Sequence, residues 1–272
     1  MVSEEAEAVP GDVLGIVLSV CLIGVCGLLA LLVSKAGRQG GCTASCGCSN
    51  TDGRASIYPE VARKIVHIGV SNWFFIYYFV FEGSFWAIVG LCAFAVVNAL
   101  LNVSGAMGVL FSQSSRKRNW GMVYYPLSVV LLILLAQSGF GDRLCVGCSL
   151  IGMGYGDGLA AIIGMRFGRH SIYPLHPSCS DGRPGSPVCQ VGSEPKGRSG
   201  KTIEGSAVMF AVVLCSFVLL NVLLGGAGIP RALGFGVIAA AASTVAEAYT
   251  PLGLDNVTVP LCIYIAAVMC GM

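Results

Sequence analysis

Charge is scarce in this sequence. Asp, Glu, Lys and Arg together make up 11% of 272 residues, against 55% hydrophobic residues, and the mean hydropathy is +0.79. A chain of this size cannot hide so much apolar surface in one water-soluble core, so a soluble globular fold is excluded and a polytopic membrane protein is expected. An excess of either sign is also lacking: 16 basic against 14 acidic residues leave a net charge of +2, which excludes a nucleic-acid partner. The first residues, MVSEEAEAVPGD, lack the basic character of a signal or transit peptide, and the first apolar span is expected to be retained. A Walker loop is missing as well. In 197-GRSGKTIEGS-206 the triplet Gly200-Lys201-Thr202 has the right ending, but Pro195 occupies the position that needs glycine and no strand leads into it.

What is present is a series of apolar runs of membrane-spanning length. Eight spans are expected, at about 12–33, 61–81, 84–103, 121–138, 143–167, 203–224, 229–248 and 256–272. The fold class is all-α, a polytopic transmembrane helix bundle. Positive charge alternates between the connections. Lys35, Arg38 and Arg54 lie in the first, Arg116-Lys117-Arg118 in the third, and Arg166, Arg169, Arg183, Lys196, Arg198 and Lys201 in the fifth; the others carry Glu82, Asp142 with Arg143, and Arg231. The basic loops are therefore assigned to the cytoplasm and both termini to the other side. Residues 1–57 read as an N-terminal span and flexible loop, and 58–272 as the functional domain, with 171–200 a second flexible cytoplasmic loop rich in Pro, Gly and Ser. No internal repeat is evident.

Cysteine is plentiful, at 13 residues, but poorly arranged for metal. Cys42, Cys46 and Cys48 form C-x3-C-x-C without a spaced fourth ligand and read as surface thiols. Cys145 and Cys148 read as small residues of a membrane helix, and Cys21, Cys92, Cys215 and Cys262 as small hydrophobes.

Ionisable residues inside or beside membrane spans are costly, so each asks for a reason. Arg63, Lys64 and His67 open the second span in 60-EVARKIVHIGV-70. Snorkelling to the headgroups accounts for Arg63 and Lys64 but not for His67, one turn deeper; a cationic cluster facing phosphate accounts for all three. Asp157 lies in 152-GMGYGDGLAAIIGMRFG-168. Glycines at 152, 154, 156 and 158 are expected to interrupt this helix and to leave Gly156 and Gly158 beside a magnesium or phosphate site, although close helix packing also explains glycine. Lys201, Thr202, Glu204 and Gly205 open the sixth span, either as an ordinary cap or as an anion site at a helix N-terminus. Glu247, Asp255 and Asn256 flank the last connection in 243-STVAEAYTPLGLDNVTVP-260, where acids suit metal-bound phosphate. Asn98 and the Tyr124-Tyr125-Pro126 elbow are weaker candidates. By the charge-derived topology these groups converge on one membrane face, as transfer of a phosphoryl group from a soluble donor to a lipid alcohol requires.

Taken in order, ARKIVHIG, WGMVYYPL, GYGDGLAAIIGMRFG, GKTIEGS and AEAYTPLGLDNVTVPL resemble the membrane lipid-alcohol kinases: phytol and farnesol kinases, dolichol kinase and CTP-dependent diacylglycerol kinase. The resemblance covers roughly residues 58–272, and the closing DN-x-x-VP is most similar to the phytol and farnesol branch. Where phytol kinases tend to read GDG-x-AD, this chain has Ala161 in place of the second acid. The resemblance implies an all-helical kinase that uses CTP, or a related nucleoside triphosphate, with Mg2+ or Mn2+. Asp157 is then expected to hold the metal with Asp255 and Asn256, assisted by Glu247. Arg63, Lys64, Gly156, Gly158, Lys201, Thr202, Glu204 and Gly205 are expected to bind the nucleotide phosphates, and His67 or Glu247 to accept the hydroxyl proton. The expected partners are the lipid alcohol, the nucleotide and membrane lipids; a homo-oligomer is compatible with the sequence, as is any endomembrane or a plasma membrane. The wider resemblance reaches phosphatidate cytidylyltransferases, which bring CTP to a lipid. A transporter would also carry acids in broken helices, but here the polar residues gather at one face.

Overall fold

The computed structural model describes residues 10–39, 58–105, 120–172, 201–250 and 253–271. Cys42, Cys46 and Cys48 lie outside these, as do Arg54, Arg116, Lys117, Arg118, Arg183, Lys196, Arg198 and Gly200. Among the described residues the chain is all-helical: α1 (Pro10–Gln39), α2 (Tyr58–Ser71), α3 (Trp73–Phe79), α4 (Phe85–Val103), α5 (Gly121–Gln137), α6 (Arg143–Phe167), α7 (Ile203–Leu223), α8 (Ile229–Tyr249) and α9 (Asp255–Gly271). The one β contact among the described residues is an isolated bridge between Ser171 and Thr202. Among the described residues five helices (α1, α4, α6, α7 and α8) are long and apolar enough to cross a membrane, and α5 and α9 are shorter apolar helices. Outward-facing Val20, Val96, Leu100, Leu219, Leu223 and Val245 are all more than half exposed, as residues facing acyl chains would be.

The glycine-rich helix corrects one expectation. It is not interrupted: α6 runs unbroken through Gly152, Gly154, Gly156 and Gly158. In lipid, opening a helix leaves backbone N–H and C=O groups unsatisfied at several kcal/mol each, which outweighs about 1 kcal/mol of helix propensity per glycine. The glycines instead admit neighbours. A Cβ added at Gly147 would meet the Phe74 ring, one at Gly154 the Ser71 hydroxyl, and one at Gly158 the Ile68 side chain; on another face, Gly152 abuts Ile263 and Gly156 abuts Met209. α6 is thus the central helix, with α2 and α3 antiparallel on one side and α7 and α9 on others.

The break falls in the second span, at Asn72. Its N–H donates to the Gly69 carbonyl at 3.1 Å, a tighter turn than the α-helical one, and its Nδ2 donates to the Ile68 carbonyl at 3.0 Å. Asparagine side chains compete with helical bonding in this way. Its Oδ1 accepts the Tyr155 hydroxyl of α6 at 3.0 Å, so the turn is tied to the central helix close to Asp157.

At the far end, Asp142 caps α6 by accepting the Cys145 N–H at 2.9 Å, preceded by Gly141 at φ +101°, a left-handed conformation that glycine supplies. Arg143 there donates to the carbonyls of Tyr77, Phe81 and Glu82, while the Asp12 carboxylate accepts the N–H groups of Glu82 and Gly83. These charges serve a structural clasp around the α3–α4 turn.

Candidate functional site

The antiparallel register of α2 against α6 brings Lys64 onto Asp157. Lys64 Nζ donates to Asp157 Oδ2 at 2.6 Å, with the two side chains only 10% and 14% exposed. Two charges this far from water are stable only as a pair. His67, one turn further along α2, places Nε2 3.9 Å from the same carboxylate oxygen. That nitrogen is buried without a hydrogen-bond partner. Its ring lies against Tyr125 of α5, with centroids 4.4 Å apart and planes inclined at 47°. Ser71 donates to the His67 carbonyl at 2.8 Å, which leaves its oxygen to accept the Tyr125 hydroxyl at 2.9 Å.

A cavity of about 200 Å³ opens at this cluster. Arg63, Lys64, Val66, His67 and Val70 of α2 line it together with Phe94 and Asn98 of α4, Gly121, Met122 and Tyr125 of α5, Asp157 of α6, and Gly253, Asp255 and Asn256 at the start of α9. Asn98 donates to the Met122 carbonyl at 3.2 Å and so joins α4 to α5 beside it. Asp255 Oδ1 accepts both the backbone N–H and the side-chain amide of Asn256, at 3.0 and 3.2 Å.

A second ion cluster sits next to the cavity rather than in its wall. Lys201 Nζ lies 3.2 Å from Glu247 Oε1 and 4.0 Å from Asp255 Oδ2, and it also donates to the Glu247 carbonyl. Asp255 therefore belongs to both groups. It lines the same cavity as the Lys64–Asp157 pair and lies beside Lys201 of the other group.

The remaining sequence candidates fall elsewhere. Thr202 is an ordinary N-cap of α7, accepting the Gly205 N–H at 3.1 Å. Glu204 faces the connection before it, where its carboxylate accepts the N–H groups of Arg169 and His170 and bonds the His170 ring at 2.8 Å. Gly205 packs under Ala160, and Gly156 and Gly158 are buried in helix contacts; none of the three lines the cavity. Sequence reasoning did not mark Val66, Val70, Phe94, Met122 or Gly253, which carry no motif and reach the site only through packing. Asn98 and Tyr125 carried a faint signal as polar groups inside apolar runs.

The chain is 30% identical over 224 residues to a phytol kinase of Synechocystis sp.; the alignment spans 76% of this chain and 78% of that protein. No protein-family profile matches the chain, and no solved structure matches it.

Proposed function

Since this chain belongs to the membrane lipid-alcohol kinase family, we propose that it transfers the terminal phosphoryl group of CTP, or a related nucleoside triphosphate, to a polyprenol-type lipid alcohol such as phytol, farnesol or dolichol. The observation that carries this reading is a cavity lined by two lysine-linked acids, Arg63 and His67 together with uncharged groups of α4 and α5. Arg63 and Lys64 supply positive charge for the phosphate oxygens, and Lys201 at the cavity edge offsets the negative charge of Asp255. The alcohol oxygen forms a bond to the terminal phosphorus as the bridging phosphorus–oxygen bond breaks, and the nucleoside diphosphate departs. His67 takes the hydroxyl proton in this reading, which is supported by its Nε2 being buried at the cavity without another hydrogen-bond partner. Glu247 is held by Lys201 and stands outside the lining, so its role is to position that lysine.

The donor set fits a divalent cation that arrives with the nucleotide. Magnesium takes oxygen ligands and is typically held by one or two carboxylates plus phosphates and water. Asp157, Asp255 and the Asn256 amide offer oxygens at the cavity, while no group of three His, Cys, Asp or Glu side chains among the described residues makes a full protein cage. When bound, the ion would neutralise charge on the transferring phosphate. On the charge pattern of the loops, this face of the bundle is cytoplasmic.

The test is purified protein with radiolabelled CTP, magnesium and a panel of phytol, farnesol, dolichol and diacylglycerol. The expected products are CDP and a lipid monophosphate. Pyrophosphate with a CMP-linked lipid would move the protein to cytidylyl transfer, and no labelled lipid with any acceptor or nucleotide would overturn the kinase reading.

A further inference from the structure

Charge in the cavity wall is confined to some of its elements. Every charged side chain in the lining comes from α2, α6 or α9, whereas α4 and α5 contain no charged residue at all and contribute only Phe94, Asn98, Gly121, Met122 and Tyr125. Val66 and Val70 of α2 extend the apolar side. Phe94 is the largest wholly apolar side chain in the lining, and it is half-buried. The outer face of the same helix carries Val96, Val97 and Leu100, which are 58%, 50% and 64% exposed. One helix therefore presents apolar surface both to the surrounding lipid and to the cavity.

We propose that the wall formed by Phe94, Met122, Val66 and Val70 holds the hydrocarbon chain of the acceptor next to its hydroxyl, and that Phe94 is a specificity-determining residue selecting among chains by their bulk. The inference rests on the kinase reading for the identity of the occupant, and on the division of the wall for its place. An apolar chain laid against Arg63, Lys64 and Asp157 would strip those groups of polar partners without replacing them. Laid against α4 and α5, it buries apolar area and leaves the charged wall to phosphate. A rigid ring in the lining discriminates between a methyl-branched and an unbranched chain, and apolar pockets commonly discriminate such differences by about 10- to 200-fold.

The experiment compares kcat/KM for farnesol with that for a straight-chain primary alcohol of matched length. Phe94→Ala is expected to change this ratio by about tenfold or more, in favour of the bulkier chain, with the KM for nucleotide unchanged. Val97→Ala, on the lipid-facing side of the same helix, is expected to leave the ratio alone. An unchanged ratio in folded Phe94→Ala would overturn the proposal, and Phe94→Leu takes its place if the alanine variant does not fold. A second measurement does not depend on turnover. A farnesol analogue carrying a diazirine on the chain near its hydroxyl is photolysed with the wild-type protein. Labelled peptides from residues 58–71, 85–103 or 121–137 support the proposal, and labelling confined to the other helices overturns it. Labelling of α4 or α5 without phosphorylation of any alcohol would sink the kinase reading and leave the chain-binding wall standing.

Discussion

Asp157 and Lys64 depend on each other at the level of single residues. With both side chains mostly buried and 2.6 Å apart, removing either charge strands the other. Breaking such a pair from one side typically costs about 3–5 kcal/mol. Asp157→Asn is therefore expected to lower the thermal midpoint of the protein in detergent and also to abolish phosphoryl transfer. These two losses can be separated. The double variant Lys64→Met/Asp157→Asn removes the stranded charge, so it is expected to recover most of the stability while remaining inactive. A double variant that regained activity along with its midpoint would show that the pair serves the fold alone. Glu247→Gln is expected to be milder, because Lys201 keeps the Glu247 carbonyl and Asp255 as partners. The measurement is kcat in folded protein, and the fall should be smaller than that for Asp157→Asn.

At the scale of elements, α6 and its glycines decide how closely the site's two main helices approach. Gly147 faces the Phe74 ring so closely that a methyl group has no room. Gly147→Ala is expected to destabilise by about 1–3 kcal/mol through overpacking, read as a lowered thermal midpoint. Gly24 in α1 has nothing within 4 Å of an added Cβ, so Gly24→Ala is expected to be neutral or to stabilise by about 0.5–1 kcal/mol. If both substitutions behaved alike, the packing account of the α6 glycines would fail. The broken element is the second span, and its break has a cause in side-chain hydrogen bonding by Asn72.

For the whole molecule the arrangement has two ends. Arg143, Asp12 and the 80–84 turn are fastened together at one, and the cavity with its ion pairs occupies the other. If the basic loops orient the bundle as expected, the cavity end faces the cytoplasm. In a cysteine-free background, an impermeant thiol reagent is expected to reach Gln113→Cys and Gln190→Cys only from the cytoplasmic side, and Gly83→Cys only from the opposite side. The reverse pattern would put the site on the wrong face for a cytoplasmic nucleotide.

Composition and the spacing of apolar runs by themselves determined that the chain is a helical membrane bundle. The expected spans at 84–103, 143–167 and 229–248 agree with α4, α6 and α8 to within a residue at each end, because a bilayer rewards unbroken apolar helices whatever their neighbours. Sequence also singled out Arg63, Lys64, His67, Asp157, Asp255 and Asn256, since ionisable or polar groups beside apolar runs need a reason to be there. Pairing was decided only by tertiary structure. That Lys64 meets Asp157 while Lys201 meets Glu247, and that Glu204 turns away to His170, depends on helix register across 93, 46 and 34 residues of chain. The uncharged wall of Val66, Val70, Phe94 and Met122 was invisible for the same reason: an apolar residue reads alike in sequence whether it faces lipid, another helix or a cavity, and only the packing of α4 and α5 opposite α2 assigns it.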